Sequence, residues 1–257
     1  RAQSIKVDEQ PEEQIILAEQ NLYKIGDSGK SETGFKSFLK ALGEAVQVAN
    51  AAHHRDGNLA GISTGFIDLD KKMGGLHSSD LIILAGRPSM GKTSLATNIA
   101  YNIAKSFKKN DNADGTSETV NGGIVGFYSL EMSAEQLAAR ILSETAEIPS
   151  EQIRRGDMTE SEFRRFVEAA KSIESSPLFI DDTPALTIAQ LASRARRLKR
   201  THGLEVLIID YLQLVRAGSS RDNSVNEISE ITQGLKAIAK ELNLSLIHIS
   251  EPTRPRS

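Results

Sequence analysis

Cysteine is absent from the 257 residues, which rules out disulfides and thiolate-held metal and fits a reducing, cytoplasmic setting. No apolar run is long enough to cross a bilayer, so no membrane association is expected. The opening residues also lack the pattern of a secretory signal. An excess of charge of one sign is missing too: 31 Lys and Arg stand against 34 Asp and Glu, a net charge of −3. That balance gives no global pull toward nucleic acid, so any such contact must come from local basic segments. The remaining composition, 39% hydrophobic and 25% charged, is that of a globular chain long enough for one large α/β domain with extensions. The chain begins with Arg rather than Met, and it is expected to be a fragment or a processed product.

Residues 8–25 read as a short amphipathic helix with Ile15, Ile16, Leu22 and Tyr23 on or near one side. A polar break, DSGKSETG, separates it from a second helix in FKSFLKALGEAVQVANAAHH, after which HHRDGNLAG loosens the chain. Neither helix has a core nearby, which suits a connecting or docking arm. From Ile62 onward strands and helices alternate. The runs LIILA (81–85), GIVGFYSL (123–130), LFI (178–180), VLIIDY (206–211) and LSLIHI (244–249) do not alternate with polar residues, as expected of parallel strands covered on both faces. Ser133 with Gln136, Thr159 with Glu162, Thr187 with Gln190 and Ser224 with Glu227 fit the capping box that opens a helix. The polar stretch 108–123 reads as a surface loop. The pattern predicts an α/β fold, a mostly parallel sheet covered by helices, with its ligand at the carboxyl ends of the strands.

One such end carries GRPSMGKTS: Gly86, Arg87, Pro88, Ser89, Met90, Gly91, Lys92, Thr93 and Ser94. The match to G-x-x-x-x-G-K-[ST] is complete, and it lies between a strand and a helix, the context the motif requires. Its backbone N–H groups and the following helix dipole suit a phosphate chain. Lys92 supplies a cation for the β- and γ-phosphates and Thr93 a hydroxyl for Mg2+, so ATP and Mg2+ are the expected ligands. Asp210 ends the apolar run VLIID, where nucleotide hydrolases of this type bring a carboxylate beside the loop threonine to hold Mg2+. Glu131, in YSLEMS, stands just past another strand end. On position alone it is equally a base for the attacking water and an ordinary acidic residue at a helix start. Arg216 and Arg221, in the Gly- and Ser-containing segment after Asp210, are candidates for DNA phosphate contact. The basic run Arg194, Arg196, Arg197, Lys199 and Arg200 reads instead as the solvated face of a helix whose buried stripe is Ile188, Leu191, Ala195 and Leu198.

In this order, ISTGFIDLDKKMGGL, GRPSMGKTS, YSLEMS, LIIDYLQLV and NEISEITQGLKAIAKEL resemble the DnaB family of replicative DNA helicases. The likeness runs from about residue 10 to about residue 249. It implies a RecA-like P-loop NTPase core that assembles as a homo-hexamer around single-stranded DNA, moves 5′ to 3′ and unwinds duplex at the replication fork. By the same resemblance Glu131 and Lys92 are catalytic, Glu131 as general base, and Thr93 and Asp210 serve the metal. Residues 10–25 are similar to the linker helix that docks on a neighbouring subunit, and primase and a helicase loader are the implied partners.

The expected division is a remnant of the amino-terminal region with linker helices at 1–60, the ATPase core at 61–249, and a non-native tail at 250–257. The tail EPTRPRS carries two prolines and places Glu251 where the family has Gln, so it breaks consistency with what precedes it. The family's primase-contacting domain and the arginine supplied by a neighbouring subunit are not represented, so the chain alone is expected to bind ATP without unwinding DNA. The competing reading is a RecA-like ATPase of recombination or regulation that assembles on nucleotide without unwinding.

Overall fold

A computed structural model describes residues 37–53, 59–111, 117–211 and 224–250. The expected helix at 8–25, the segment carrying Arg216 and Arg221, and the tail beyond Ser250 lie outside these residues. The element order is α1 (Phe38–His53), α2 (Ile67–Met73), β1 (Leu81–Ala85), α3 (Lys92–Lys105), β2 (Lys108–Asp111), β3 (Ser117–Asn121), β4 (Val125–Ser129), α4 (Ala134–Ala146), α5 (Ser150–Arg155), α6 (Glu160–Ile173), β5 (Leu178–Asp181), α7 (Ile188–His202), β6 (Val206–Asp210), α8 (Ser224–Glu241) and β7 (Ser245–Ser250).

The five apolar runs become one parallel sheet in the order β1-β7-β6-β4-β5. Strands β4, β6 and β7 are buried almost throughout, which is why their sequences carry no polar alternation. The two edge strands depart from the expectation of full cover: β5 is half-buried along its length, and Ile83 of β1 is 56% exposed. Being apolar does not place a strand in the middle of a sheet; pairing does.

Two hydrophobic clusters cover the two faces. On one, α3 sets Ala96, Ile99, Ala100 and Ile103 against Val125, Phe127, Val206, Ile208 and Ile247. On the other, α7 and α8 set Leu191, Ala195, Ile231, Leu235 and Ile238 against Tyr128, Leu207, Ile209 and Leu246. The stripe predicted for α7 is buried or packed against this cluster, Ile188 and Leu198 only in part. A smaller cluster of Ala146, Ile148 and Ala169 joins α4 to α6.

Three of the four capping boxes form, at Ser133, Thr159 and Thr187, each with both reciprocal hydrogen bonds. The side chains of the fourth, Ser224 with Glu227, lie outside the described ones. The stretch read as a surface loop holds an antiparallel hairpin instead, β2 with β3, its register shifting between Lys108 and Lys109. The sequence between the two strands contains Asp-Gly, a hairpin signal, but without the flanking apolar alternation that would mark strands on either side. The ISTGFIDLD block is a structural bracket. Asp70 accepts from Ser63 Oγ (2.6 Å), Thr64 N (2.9 Å) and Thr64 Oγ1 (2.8 Å), and Asn102 Nδ2 of α3 donates to Thr64 O at 3.2 Å. Helix α1 leaves Phe38, Leu39 and Val46 more than half exposed, as expected of an arm without its own core.

One buried residue fits its place badly. His248, at the centre of β7, is 2% exposed and neither ring nitrogen has a hydrogen-bond partner. Burial pushes its imidazole below the usual histidine value of 6.5, against a small opposing pull from the Ile249 backbone. Its folded pKa is depressed, so protonation favours the unfolded chain: stability is full above about pH 6.5 and falls as pH drops below it. His248→Leu is expected to add on the order of 1 kcal/mol and to flatten the fall in stability below about pH 6.5. Urea denaturation at several pH values checks this; a leucine variant no more stable than the parent contradicts it.

Candidate nucleotide site

The site is built at the carboxyl ends of β1, β6 and β4. The chain leaves β1 at Ala85, passes through the loop and enters α3 at Lys92. Gly91 caps α3 in the left-handed region at φ 82°, where a side chain is strained even though a Cβ would meet nothing within 4 Å. Ser89 sits at φ 64°. Gly86 differs from Gly91. Its φ is ordinary, and a Cβ there would meet only side-chain carbons at ordinary contact distance, Lys92 Cγ at 3.5 Å, Lys92 Cδ at 3.6 Å and Met90 Cβ at 3.9 Å. The fold alone therefore does not require glycine at 86. Arg87, Pro88, Ser89 and Met90 are exposed along the crest of the loop, Met90 at 73%, while Thr93 and Ser94 are half-buried on the first turn of α3.

Lys92 folds back over the loop: its Nζ donates to Gly86 O (2.9 Å) and Arg87 O (3.1 Å). These bonds hold the ammonium above the loop that would cradle phosphate. Thr97 Oγ1 donates to Thr93 O at 2.7 Å, fixing the first turn of the helix.

Asp210 closes β6 and is 2% exposed. The Thr93 side chain faces its carboxyl closely enough to act on it as a hydrogen-bonding neighbour, which sets the start of α3 beside the end of β6. Burial raises its pKa and Glu131 adds to the rise, while the Thr93 bond and the charges of Lys92 and Arg140 pull it down. Among the described residues no salt bridge reaches Asp210. A buried carboxylate bonded to a hydroxyl and lacking an ion pair is a hard-oxygen donor set. It suits Mg2+, which is held by one or two protein oxygens, several waters and substrate phosphates. No group of three or more acidic or histidine side chains forms an all-protein metal cage among the described residues.

Glu131 lies exposed in the bend after β4, which pairs directly with β6. The bend is tied to that strand, since Leu130 N donates to Asp210 O at 2.8 Å. Ser129 Oγ donates to Met132 O at 2.7 Å across the same turn. The predicted residues Lys92, Thr93, Glu131 and Asp210 are thus gathered at one crest of the sheet. Arg140, on α4, also acts on Asp210 and was not anticipated. Its signal in the sequence was slight: an arginine between the buried Leu137 and Ile141, on the helix that Glu131 leads into.

The basic run on α7 is largely engaged. Arg194 Nη1 bonds both Asp181 oxygens (2.9 and 2.7 Å), Arg196 makes a forked pair with Glu241, and Lys199 Nζ donates to Leu204 O at 2.7 Å. Arg197 and Arg200 are exposed. A groove of about 270 Å3 lined by Tyr128, Phe179, Asp181 and Arg194 opens on the α7 face, away from the face covered by α3.

Residues 61–255 match the family of the DnaB-like helicase C terminal domain. This chain belongs to that family. It is 48% identical over 245 residues to the replicative DNA helicase DnaB of Rickettsia bellii (strain RML369-C), covering 94% of this chain and 48% of the relative. The chain thus spans about half the length of the curated relatives it matches. A solved ATPase domain is 29% identical with a TM-score of 0.73, covering 86% of this chain and 73% of the other. A solved DnaB-like replicative helicase, described with its interactions with primase, is 25% identical with a TM-score of 0.69, covering 94% and 57%. The fold is the RecA-like core of these helicases.

Lys92→Ala removes the side-chain ammonium over the loop while leaving the cores untouched. It is expected to weaken ATP binding at least tenfold with the thermal midpoint preserved. Equilibrium titration with a fluorescent ATP analogue checks this, and unchanged affinity would place the nucleotide elsewhere.

Proposed function

We propose that this chain is the motor core of a replicative DNA helicase, which hydrolyses ATP to move 5′ to 3′ along single-stranded DNA and to part the duplex at a fork. The observation that carries the reading is the gathering of Lys92, Thr93, Glu131 and Asp210 at the carboxyl ends of β1, β4 and β6, in a chain of the DnaB-like helicase family. A hydroxyl and a buried carboxylate side by side are the pair that would hold the metal in phosphoryl transfer from a nucleotide.

In this reading Gly86 to Ser94 hold the phosphates through backbone N–H groups, and Gly86 is glycine so that the ligand can come close. Lys92 exchanges the carbonyls of Gly86 and Arg87 for the phosphate oxygens. Thr93 and Asp210 hold Mg2+, which when bound neutralises charge developing on the phosphates. Glu131 takes the proton from the water that attacks the γ-phosphorus, and Arg140 balances the two carboxylates. A ring of six supplies the neighbouring arginine that catalysis of this kind uses.

Arg216 and Arg221 follow Asp210 closely in sequence, so a DNA contact there would lie within reach of the hydrolysis site. The reading places the protein in the cytoplasm, with single-stranded and forked DNA, primase and a helicase loader as partners. The solved relative described with primase supports the first of those protein partners. Among the described residues no helix is long and apolar enough to cross a membrane.

Glu131→Gln keeps shape and polarity but removes the base. In a longer form of the protein that turns over ATP, affinity is expected to persist while turnover falls by roughly 100-fold or more. Strand displacement on a forked duplex should fall with it. ATP turnover at the wild-type rate in this variant would return Glu131 to a helix-start role. Robust turnover by the parent without any strand displacement would favour an assembling RecA-like ATPase of recombination or regulation.

A further inference from the structure

Glu131 sits in an exposed bend, yet a base must be held within a fraction of an ångström of its working place. The bend is tied on its upstream side to β6 through Leu130 N and Asp210 O. Downstream it runs straight into α4, whose first helical residue is Ala134. There the Ala134 N–H, free of any partner inside its own helix, donates to Asp182 Oδ2 at 2.8 Å, from a residue 48 positions away. A carboxylate at the positive end of a 13-residue helix makes this a charge-assisted bond.

Asp182 is itself held by its neighbours. Thr183 N donates to Asp181 Oδ1 at 3.1 Å, and Arg194 Nη1 bonds both Asp181 oxygens and Thr183 Oγ1 (2.7 Å). The turn after β5 is therefore clamped to α7 on either side of Asp182.

We infer that Asp182 is a positioning residue for ATP hydrolysis, fixing the Glu131 bend from the far side through the Ala134 amide. This rests on the reading of Glu131 as the base. The capping box at Ser133 closes α4 on itself, whereas, among the described residues, the Asp182 side chain bonds the start of that helix to the turn after β5. With both ends of the bend anchored, to β6 and to β5, the carboxylate of Glu131 has a defined reach over Asp210. Releasing one anchor leaves nucleotide binding intact, because the phosphate loop lies between β1 and α3, away from the anchor, and lets the base drift.

The test compares Asp182→Ala, Asp182→Asn and Glu131→Gln in a longer form of the protein that turns over ATP. Asp182→Ala is expected to lower kcat about tenfold with KM for ATP nearly unchanged. Asp182→Asn, whose amide oxygen still accepts from Ala134, should recover most of the rate. Placed on Glu131→Gln, Asp182→Ala should cost nothing further, since the group it positions is gone. In the 257-residue chain, Asp182→Ala should speed amide exchange at residues 130–134 while exchange in β6 stays slow. Wild-type kcat in Asp182→Ala, or equal losses in the Ala and Asn variants, would overturn the inference. Should Glu131→Gln turn over normally, the reading of Glu131 fails instead. The exchange result then stands as the measure of the tether alone, and unchanged exchange overturns that as well.

Discussion

Burying the Asp210 carboxylate at the end of a strand with no ion pair carries a desolvation cost that an apolar side chain would not. The Thr93 hydroxyl offsets part of it and ties the phosphate loop to the sheet, and the raised pKa of Asp210 records what is left. Such a residue favours a nearby cation, and in the proposed reading metal and nucleotide would supply it. The rest of the active crest is arranged around it. Leu130 hangs the Glu131 bend from the Asp210 carbonyl, and Arg140 and Lys92 both act on the same carboxylate from opposite elements.

The parallel sheet makes this geometry possible. Strands β4 and β6 pair in register from Val125 with Val206 to Ser129 with Asp210, so their carboxyl ends stop at the same height and deliver Glu131 and Asp210 together. Strand β1 reaches the same level through β7, with Ala85 opposite Ser250. Helices pack on both faces, and the three central strands are thereby rigid by burial on two sides. The chemistry is carried on turns, but each turn is short and bonded to a neighbouring strand or helix.

The basic face of α7 shows how charge on a helix can serve the fold. Arg194, Arg196 and Lys199 are drawn into bonds with β5, α8 and the turn before β6, and burial pushes the Lys199 ammonium down from its usual value. Composition could not separate these from free cations such as Arg197 and Arg200, because partner and distance are properties of the packed state. The same clamp holds the turn that carries Asp182, and Asp182 bonds the start of α4 after the Glu131 bend.

Local information was enough for a large part of this protein. The phosphate loop, the five apolar strands, three capping boxes and the α7 stripe follow from spacing that depends only on backbone geometry and side-chain type. Asp210 and Glu131 could be named as candidates because strand ends are visible in sequence. What the sequence could not disclose was anything set by pairing across long separations. The edge position of β1, the β2–β3 hairpin in a polar stretch, the place of Arg140 and the reach of Asp182 to Ala134 all depend on which elements lie side by side. Strand order is settled by burial summed over the whole sheet, a quantity no single segment contains. The motifs name the groups that bind; only the folded sheet decides how far apart they stand.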